Sequence, residues 1–239
     1  MTTESPNYWA IVPAAGIGKR FSADIPKQFH QLQGDLVAQH TLSRLLEISL
    51  IKRIIAPCDP TSGYWERVSA VKNPRVTLIE GGETRAKSVL NGLTALSGLA
   101  QSEDWVLVHD MARPCVTSLD IMNLINSLKG HPAGGLLTTQ INETLKTVTP
   151  DNYVKETVDR DCYRLAQTPQ MFRYGLLRDA IQLMLHEQKM PTDEASAMEY
   201  SQHKVLTVEG RHDNIKITRR EDLMIAEVIL MNQEKQRCE

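Results

Sequence analysis

Short runs of β-branched and aliphatic residues alternate along this chain with longer segments whose apolar positions recur at helical spacing. "YWAIV" (8–12), "KRIIAP" (52–57), "RVTLIE" (75–80), "WVLVHD" (105–110), "GGLLTTQ" (134–140) and "KVLTVE" (204–209) predict strands. "VAQHTLSRLLEIS", "TRAKSVLNGLTAL" and "SLDIMNLINSLKG" predict helices between them, and "YGLLRDAIQLMLHEQ" and "DEASAMEYS" predict two more. In "TRRE", Thr218 to Glu221 reads as a capping box opening the last helix. Strands apolar almost throughout are buried on both faces, which predicts a mostly parallel sheet between two helical layers, an α/β fold. Such sheets bind ligands beyond the carboxyl ends of their strands. Three stretches fall there: "PAAGIGKR", "GGETRAKS" and "HDMARP".

Residues 142–161, "NETLKTVTPDNYVKETVDRD", break this rhythm. Two alternating segments flank "TPDN", a turn signal, and predict a β-hairpin arm over 141–161. A lone hairpin is marginally stable. The arm therefore packs on something such as a second subunit, or else it stands as a solvated hairpin at the edge of the domain. At 239 residues the chain suits one large domain spanning 1–239. It has no internal repeat and no low-complexity linker.

Composition narrows the function. The charge is close to balanced, 27 Lys and Arg against 29 Asp and Glu, with no block of one sign. No nucleic-acid or membrane-surface partner is expected from that balance, and cations for an anionic ligand must be gathered by the fold. Cys58, Cys115, Cys162 and Cys238 lie far apart, which argues against a zinc site or a disulfide framework and fits a reducing cytosol. No apolar run approaches the ~18 residues of a membrane span. The N-terminus lacks the basic and apolar regions of a signal peptide, so a cytoplasmic location is expected.

The stretch "VPAAGIGKRFSADIPKQF" (12–29) carries the main chemical signal. It is not a P-loop, because Arg20 stands where Ser or Thr is needed, and not a dinucleotide fingerprint, because Phe21 replaces the third glycine. A glycine pair alone marks no more than a tight turn. Here Gly16 and Gly18 let the backbone approach a ligand with N–H groups as donors. Lys19, Arg20 and Lys27 follow, with Asp24 as the one acid among them. Such a loop repels itself unless an anion neutralises it.

With the blocks "GGETRAKSVLNGL" (81–93), "WVLVHDMARP" (105–114), "NETLK" (142–146), "TVDRD" (157–161), "QTPQMF" (167–172), "TDEASAMEY" (192–200) and "VEGRHDNIKIT" (208–218), this loop resembles the nucleotidyltransferases that activate sugars and polyols with an NTP. The resemblance is to the 2-C-methyl-D-erythritol 4-phosphate cytidylyltransferase family in particular, and it runs from the first strand to the last helix. It implies a Rossmann-like α/β/α nucleotidyltransferase fold, with the arm clasping a second copy in a homodimer. It implies transfer of the cytidylyl group of CTP to methylerythritol phosphate in the non-mevalonate isoprenoid pathway. A phosphate monoester is mostly a dianion at neutral pH, so the nucleophile needs no strong base. The barrier is electrostatic, and catalysis is positioning plus positive charge.

The resemblance also implies roles. Arg20, Lys27 and Lys216 contact the triphosphate and stabilise the pentavalent phosphorus. Pro13, Ala14, Ala15, Gly16, Gly18 and Lys19 shape the phosphate and ribose cradle. Gly81, Gly82, Glu83, Arg85 and Ser88 line the cytosine pocket, with Thr84 as a helix cap. Asp110 serves the ribose or a Mg²⁺ ion, which takes most of its ligands from phosphates and water. Arg113 lies near the nucleotide. Met111 departs from the family's usual alanine, and its bulk either narrows the pocket or points into the core. Thr144, Arg160, Thr168, Thr192 and Asp193 hold the acceptor, Thr144 and Arg160 reaching across the dimer. Three rivals differ in chemistry: a ribitol 5-phosphate cytidylyltransferase, a non-catalytic nucleotide-binding regulator on the same scaffold, and a dinucleotide-dependent oxidoreductase, which the missing third glycine disfavours.

Overall fold

Residues apolar on both faces of a strand need cover on both sides, and the seven-stranded sheet provides it. The computed structural model describes residues 5–16, 21 and 25–238, the side chains of 237 and 238 excepted. In chain order the elements begin with β1 (Tyr8–Ile11), β2 (Gln31–Leu32), β3 (Asp35–Leu36), α1 (Val37–Leu46), β4 (Ile51–Cys58), β5 (Val76–Glu80) and α2 (Arg85–Ala95). Then come β6 (Trp105–Val108), α3 (Ser118–Leu128), β7 (Gly134–Thr139), β8 (Leu145–Val148), β9 (Val154–Val158) and β10 (Leu165–Arg173). The chain closes with α4 (Tyr174–His186), α5 (Glu194–Tyr200), β11 (Leu206–Glu209) and α6 (Glu221–Cys238).

The main sheet runs β11-β7-β10-β6-β1-β4-β5. All its pairings are parallel except those of β10, which is antiparallel to both β6 and β7. Alternate residues feed opposite cores. Ala10 and Leu107 join Leu42, Leu45 and Leu124 from α1 and α3 on one face. Ile11 and Val108 join Val89, Leu177 and Met198 from α2, α4 and α5 on the other. The last helix, α6, seats Ala226 and Leu230 in a third cluster with Phe21, Val37 and Ile217.

Three local expectations need correction. The strand β10 is absent from the strands that the pattern predicts, and it contains Pro169, a residue that a central strand rarely holds. The sheet accommodates it by breaking register with β7 between Ala166 and Gln170. The capping partner at the start of α6 is Asp222 rather than Glu221: its Oδ2 accepts from the Thr218 N–H at 2.7 Å, the Thr218 hydroxyl at 2.9 Å and the Arg219 N–H at 2.8 Å. Lastly, the strand expected over 105–110 ends at Val108. The His109 N–H still donates to the Ile11 carbonyl of β1 at 2.9 Å, and Asp110, the next residue, lines the site.

The hairpin forms as expected. The strands β8 and β9 pair antiparallel in a sheet of their own, outside the main one. Asn152 adopts φ 67° in the turn, the left-handed region that asparagine tolerates. Val148, Tyr153 and Val154 on this hairpin are exposed.

Candidate active site

A cavity opens where the carboxyl ends of β1, β5 and β6 meet. After β1 the chain stays beside β4: the Ala14 N–H donates to the Pro57 carbonyl at 2.8 Å. Gln28, buried, donates from Nε2 to the Ala14 carbonyl at 2.8 Å and fixes the outgoing strand. Pro13, Ala14, Ala15 and Gly16 line one wall. Gly81 packs behind them, so close that an added Cβ would lie 2.4 Å from the Ala15 Cβ. Opposite stand Gly82, Glu83, Thr84, Arg85 and Ser88. The buried Ser88 hydroxyl accepts from the Gly82 N–H and donates to the Thr84 carbonyl, both at 3.0 Å, and so braces this turn. Thr84 caps α2 as expected, accepting from the Lys87 N–H.

Asp110 is the electrostatic centre. Its Oδ1 lies 3.2 Å from Arg85 Nε, and its Oδ2 lies 2.8 Å from Lys216 Nζ and 3.6 Å from Arg113 Nε. Burial opposes its charge, but Arg85 and Lys216 outweigh burial and hold the carboxyl well below the usual range. Arg113 in turn donates to the Asn214 carbonyl at 2.7 Å. Lys216 thus arrives through the segment after β11, and Lys27 arrives through the loop after β1. Lys27 Nζ donates to the Ile217 carbonyl at 2.9 Å, 190 positions away in the chain. Both lysines line the cavity. Gly18, Lys19 and Arg20 lie outside the described residues.

His109 and Thr168 support Asp110 from beneath. The Asp110 N–H donates to Thr168 Oγ1 at 3.0 Å, and that hydroxyl lies 3.0 Å from His109 Nδ1. His109 Nε2 is 3.1 Å from the Arg113 carbonyl, which can only accept. The ring therefore carries its proton on Nε2 and accepts from Thr168 through Nδ1. Burial pushes its pKa down to about 4, so it is neutral at neutral pH. Thr168 is 4 % exposed with its hydroxyl engaged on both sides, so it supports Asp110 and presents no hydroxyl to an acceptor.

The other expected acceptor residues divide. Asp193 caps α5, and its Oδ2 accepts from Gln170 Nε2 at 2.9 Å; Thr192 is exposed beside it. Thr144 and Arg160 stand exposed on and beside the hairpin, away from the cavity lining, where Arg160 bonds the Asn142 carbonyl. Met111 satisfies both readings offered for it: it is buried in the core and also lines the cavity. Two further features escaped the sequence reading. Gln28 carried no signal beyond its place beside Lys27. Glu194 forks the Arg85 guanidinium at 2.7 and 3.0 Å, yet in sequence it looks like any acid in the first turn of a helix.

A mostly parallel sheet with this cleft at its strand ends defines the class: an α/β nucleotidyltransferase. Within that class the match is narrow. Residues 8–232 fit the 2-C-methyl-D-erythritol 4-phosphate cytidylyltransferase family, and the chain belongs to it. It is 44% identical over 224 residues to the enzyme of that name from Pseudomonas entomophila, covering 93% of this chain and 95% of the relative. To the one from Vibrio vulnificus it is 41% identical over 228 residues, covering 95% of this chain and 96% of the other. The crystal structure of the Francisella tularensis 2-C-methyl-D-erythritol 4-phosphate cytidylyltransferase superposes with a TM-score of 0.79 at 36% identity, covering 93% of this chain and 99% of that one.

Proposed function

We propose that this protein transfers the cytidylyl group of CTP to 2-C-methyl-D-erythritol 4-phosphate, a step of non-mevalonate isoprenoid synthesis. An oxygen of the acceptor phosphate bonds to the α-phosphorus of CTP, and the bond from that phosphorus to the β-phosphate oxygen breaks. The products are 4-diphosphocytidyl-2-C-methyl-D-erythritol and pyrophosphate. The observation that carries this reading is the meeting of Lys27 and Lys216, from opposite ends of the chain, on one glycine-walled cavity. Two anionic reactants need such convergence, because the transition state gathers charge at one phosphorus. Lys27 and Lys216 supply that charge, joined by Arg20. The 13–16 segment and the turn at 81–84 hold the nucleotide. Thr192 and Asp193 face the acceptor.

A divalent cation fits this donor set. Among the described residues no three His, Cys, Asp or Glu side chains gather to cage an ion, and Glu83 and Asp110 are the acids on the cavity lining. One or two carboxylates suit Mg²⁺, which is otherwise ligated by substrate phosphates and water. Asp110 would hold it, and the ion would supply neutralising charge to the triphosphate. The exposed apolar side chains of the hairpin support a homodimer in which the arm is covered by the partner. No helix among the described residues is long and apolar enough to cross a membrane. A place in the cytoplasm suits the phosphorylated, water-soluble substrates of the proposed reaction.

The deciding experiment supplies CTP and Mg²⁺ with either methylerythritol 4-phosphate or ribitol 5-phosphate and follows pyrophosphate. Release with the first acceptor is expected. Release with ribitol 5-phosphate alone would replace the acceptor assignment. CTP binding without release from either would point to a nucleotide-binding regulator.

A further inference from the structure

The strongest unassigned feature is a carboxylate behind the cavity wall. Glu194 opens α5 and is 1 % exposed, and it lines no part of the cavity. Its two oxygens take Arg85 Nη1 at 2.7 Å and Nη2 at 3.0 Å. The third nitrogen of the same guanidinium, Nε, lies 3.2 Å from Asp110 Oδ1. Every nitrogen of Arg85 is therefore tied to a protein carboxylate, and its plane is fixed. Because Arg85 takes only Oδ1, Oδ2 is left for Lys216 at 2.8 Å, with Arg113 Nε farther off at 3.6 Å. The same end of α5 is pinned to β10 by Gln170, whose Oε1 accepts from the Ala195 N–H at 2.8 Å while its Nε2 donates to Asp193. A buried ion pair is poor evidence of stability, since burial costs each ion its hydration. A planar fork does, however, fix orientation as few other contacts can.

We infer that Glu194 is a positioning residue: through Arg85 it sets which oxygen of Asp110 is left to Lys216, and it locks the Thr192–Asp193 end of α5 to the nucleotide wall. The inference rests on the function proposed above. Without the Glu194 fork, the terminal nitrogens of Arg85 turn to Asp110, compete with Lys216 for Oδ2, and draw that lysine's ammonium out of register. Glu194 touches no substrate, and its effect passes through Asp110 and Lys216.

The test is a double-mutant cycle in the protein, read by single-turnover pyrophosphate release with CTP, Mg²⁺ and 2-C-methyl-D-erythritol 4-phosphate. Glu194→Gln should slow turnover roughly a hundredfold, as a small misplacement of a catalytic group does. In a Lys216→Met background the same change should cost almost nothing further. A merely structural role would instead give losses that multiply in the two backgrounds. Glu194→Asp keeps the charge but is one methylene short of the fork. It should show the same non-additivity at a temperature where its melting transition shows it folded, and it carries the test if Glu194→Gln does not fold. Wild-type turnover in a folded Glu194 variant, or additive losses, would overturn the inference. A wild-type protein that releases no pyrophosphate would sink the functional reading first, before any variant is compared.

Discussion

At the scale of single residues, the site depends on which groups are charged and which are kept neutral. His109 is fully buried with both ring nitrogens engaged, and burial pushes its pKa down to about 4. In the unfolded chain an imidazole titrates near 6.5. A depressed native pKa means that the unfolded chain binds the proton first as pH falls. The stabilisation is thus complete above about pH 6.5 and is lost progressively as the pH approaches 4, amounting to about 3 kcal/mol over that window. Urea unfolding of the wild type between pH 7 and 4 should show this loss, and His109→Gln should show a profile flatter by a similar amount. Equal slopes would mean that the ring titrates in the native state as it does in the unfolded chain. Asp110 does not cloud the window, because its carboxyl is held below it by Arg85 and Lys216.

At the scale of elements, the cavity exists because the turns after β1 and β5 approach closely. Gly81 is the contact point, with an added Cβ 2.4 Å from that of Ala15. Neither turn can yield freely. The Gly81 N–H is bonded to the Cys58 carbonyl at 2.7 Å, and Ala14 is held to Pro57. Gly81→Ala should therefore cost about 1–3 kcal/mol of stability through overpacking. It should also weaken CTP binding by spreading the two walls. Urea unfolding with a nucleotide titration of the same variant checks both. Unchanged CTP affinity would separate this contact from the nucleotide site. The antiparallel β10 is the other decisive element. Inserted between β6 and β7, it brings Thr168 under Asp110 and Gln170 under α5, and so supports both from one strand.

At the scale of the whole molecule, the single chain gathers many of the residues expected to hold the nucleotide around one cavity and leaves part of the expected acceptor side outside it. Thr144 and Arg160 stand exposed at the hairpin, beside the exposed Val148, Tyr153 and Val154. If the arm completes a partner's site, Lys27→Met and Arg160→Ala impair different contributions to each shared cavity. Each variant alone should lose roughly a hundredfold or more in turnover, the usual effect of removing a charged donor. Mixed and allowed to exchange subunits, they should recover activity, because one site of the heterodimer then holds both native side chains. Absence of recovery with exchange confirmed by mass would place Arg160 in its own subunit's chemistry or outside the chemistry altogether.

Period and composition alone determined the alternation of strands and helices, the burial of the sheet on both faces, the Thr84 cap, the hairpin and the three ligand-end turns. Each is dictated by residues within a few positions of one another, so local periodicity and turn chemistry suffice to read it. Tertiary structure alone decided that β10 runs through Pro169, that Asp222 caps the last helix, and that Thr168 faces inward beneath Asp110. It also made a fork between Arg85 and Glu194, 109 positions apart, and carried Lys27 to the Ile217 carbonyl across 190. No local pattern encodes such pairs, because an ionised side chain has the same sequence signature whether water or a distant residue solvates it. Only the closed fold, by excluding water and fixing the distance, determines which.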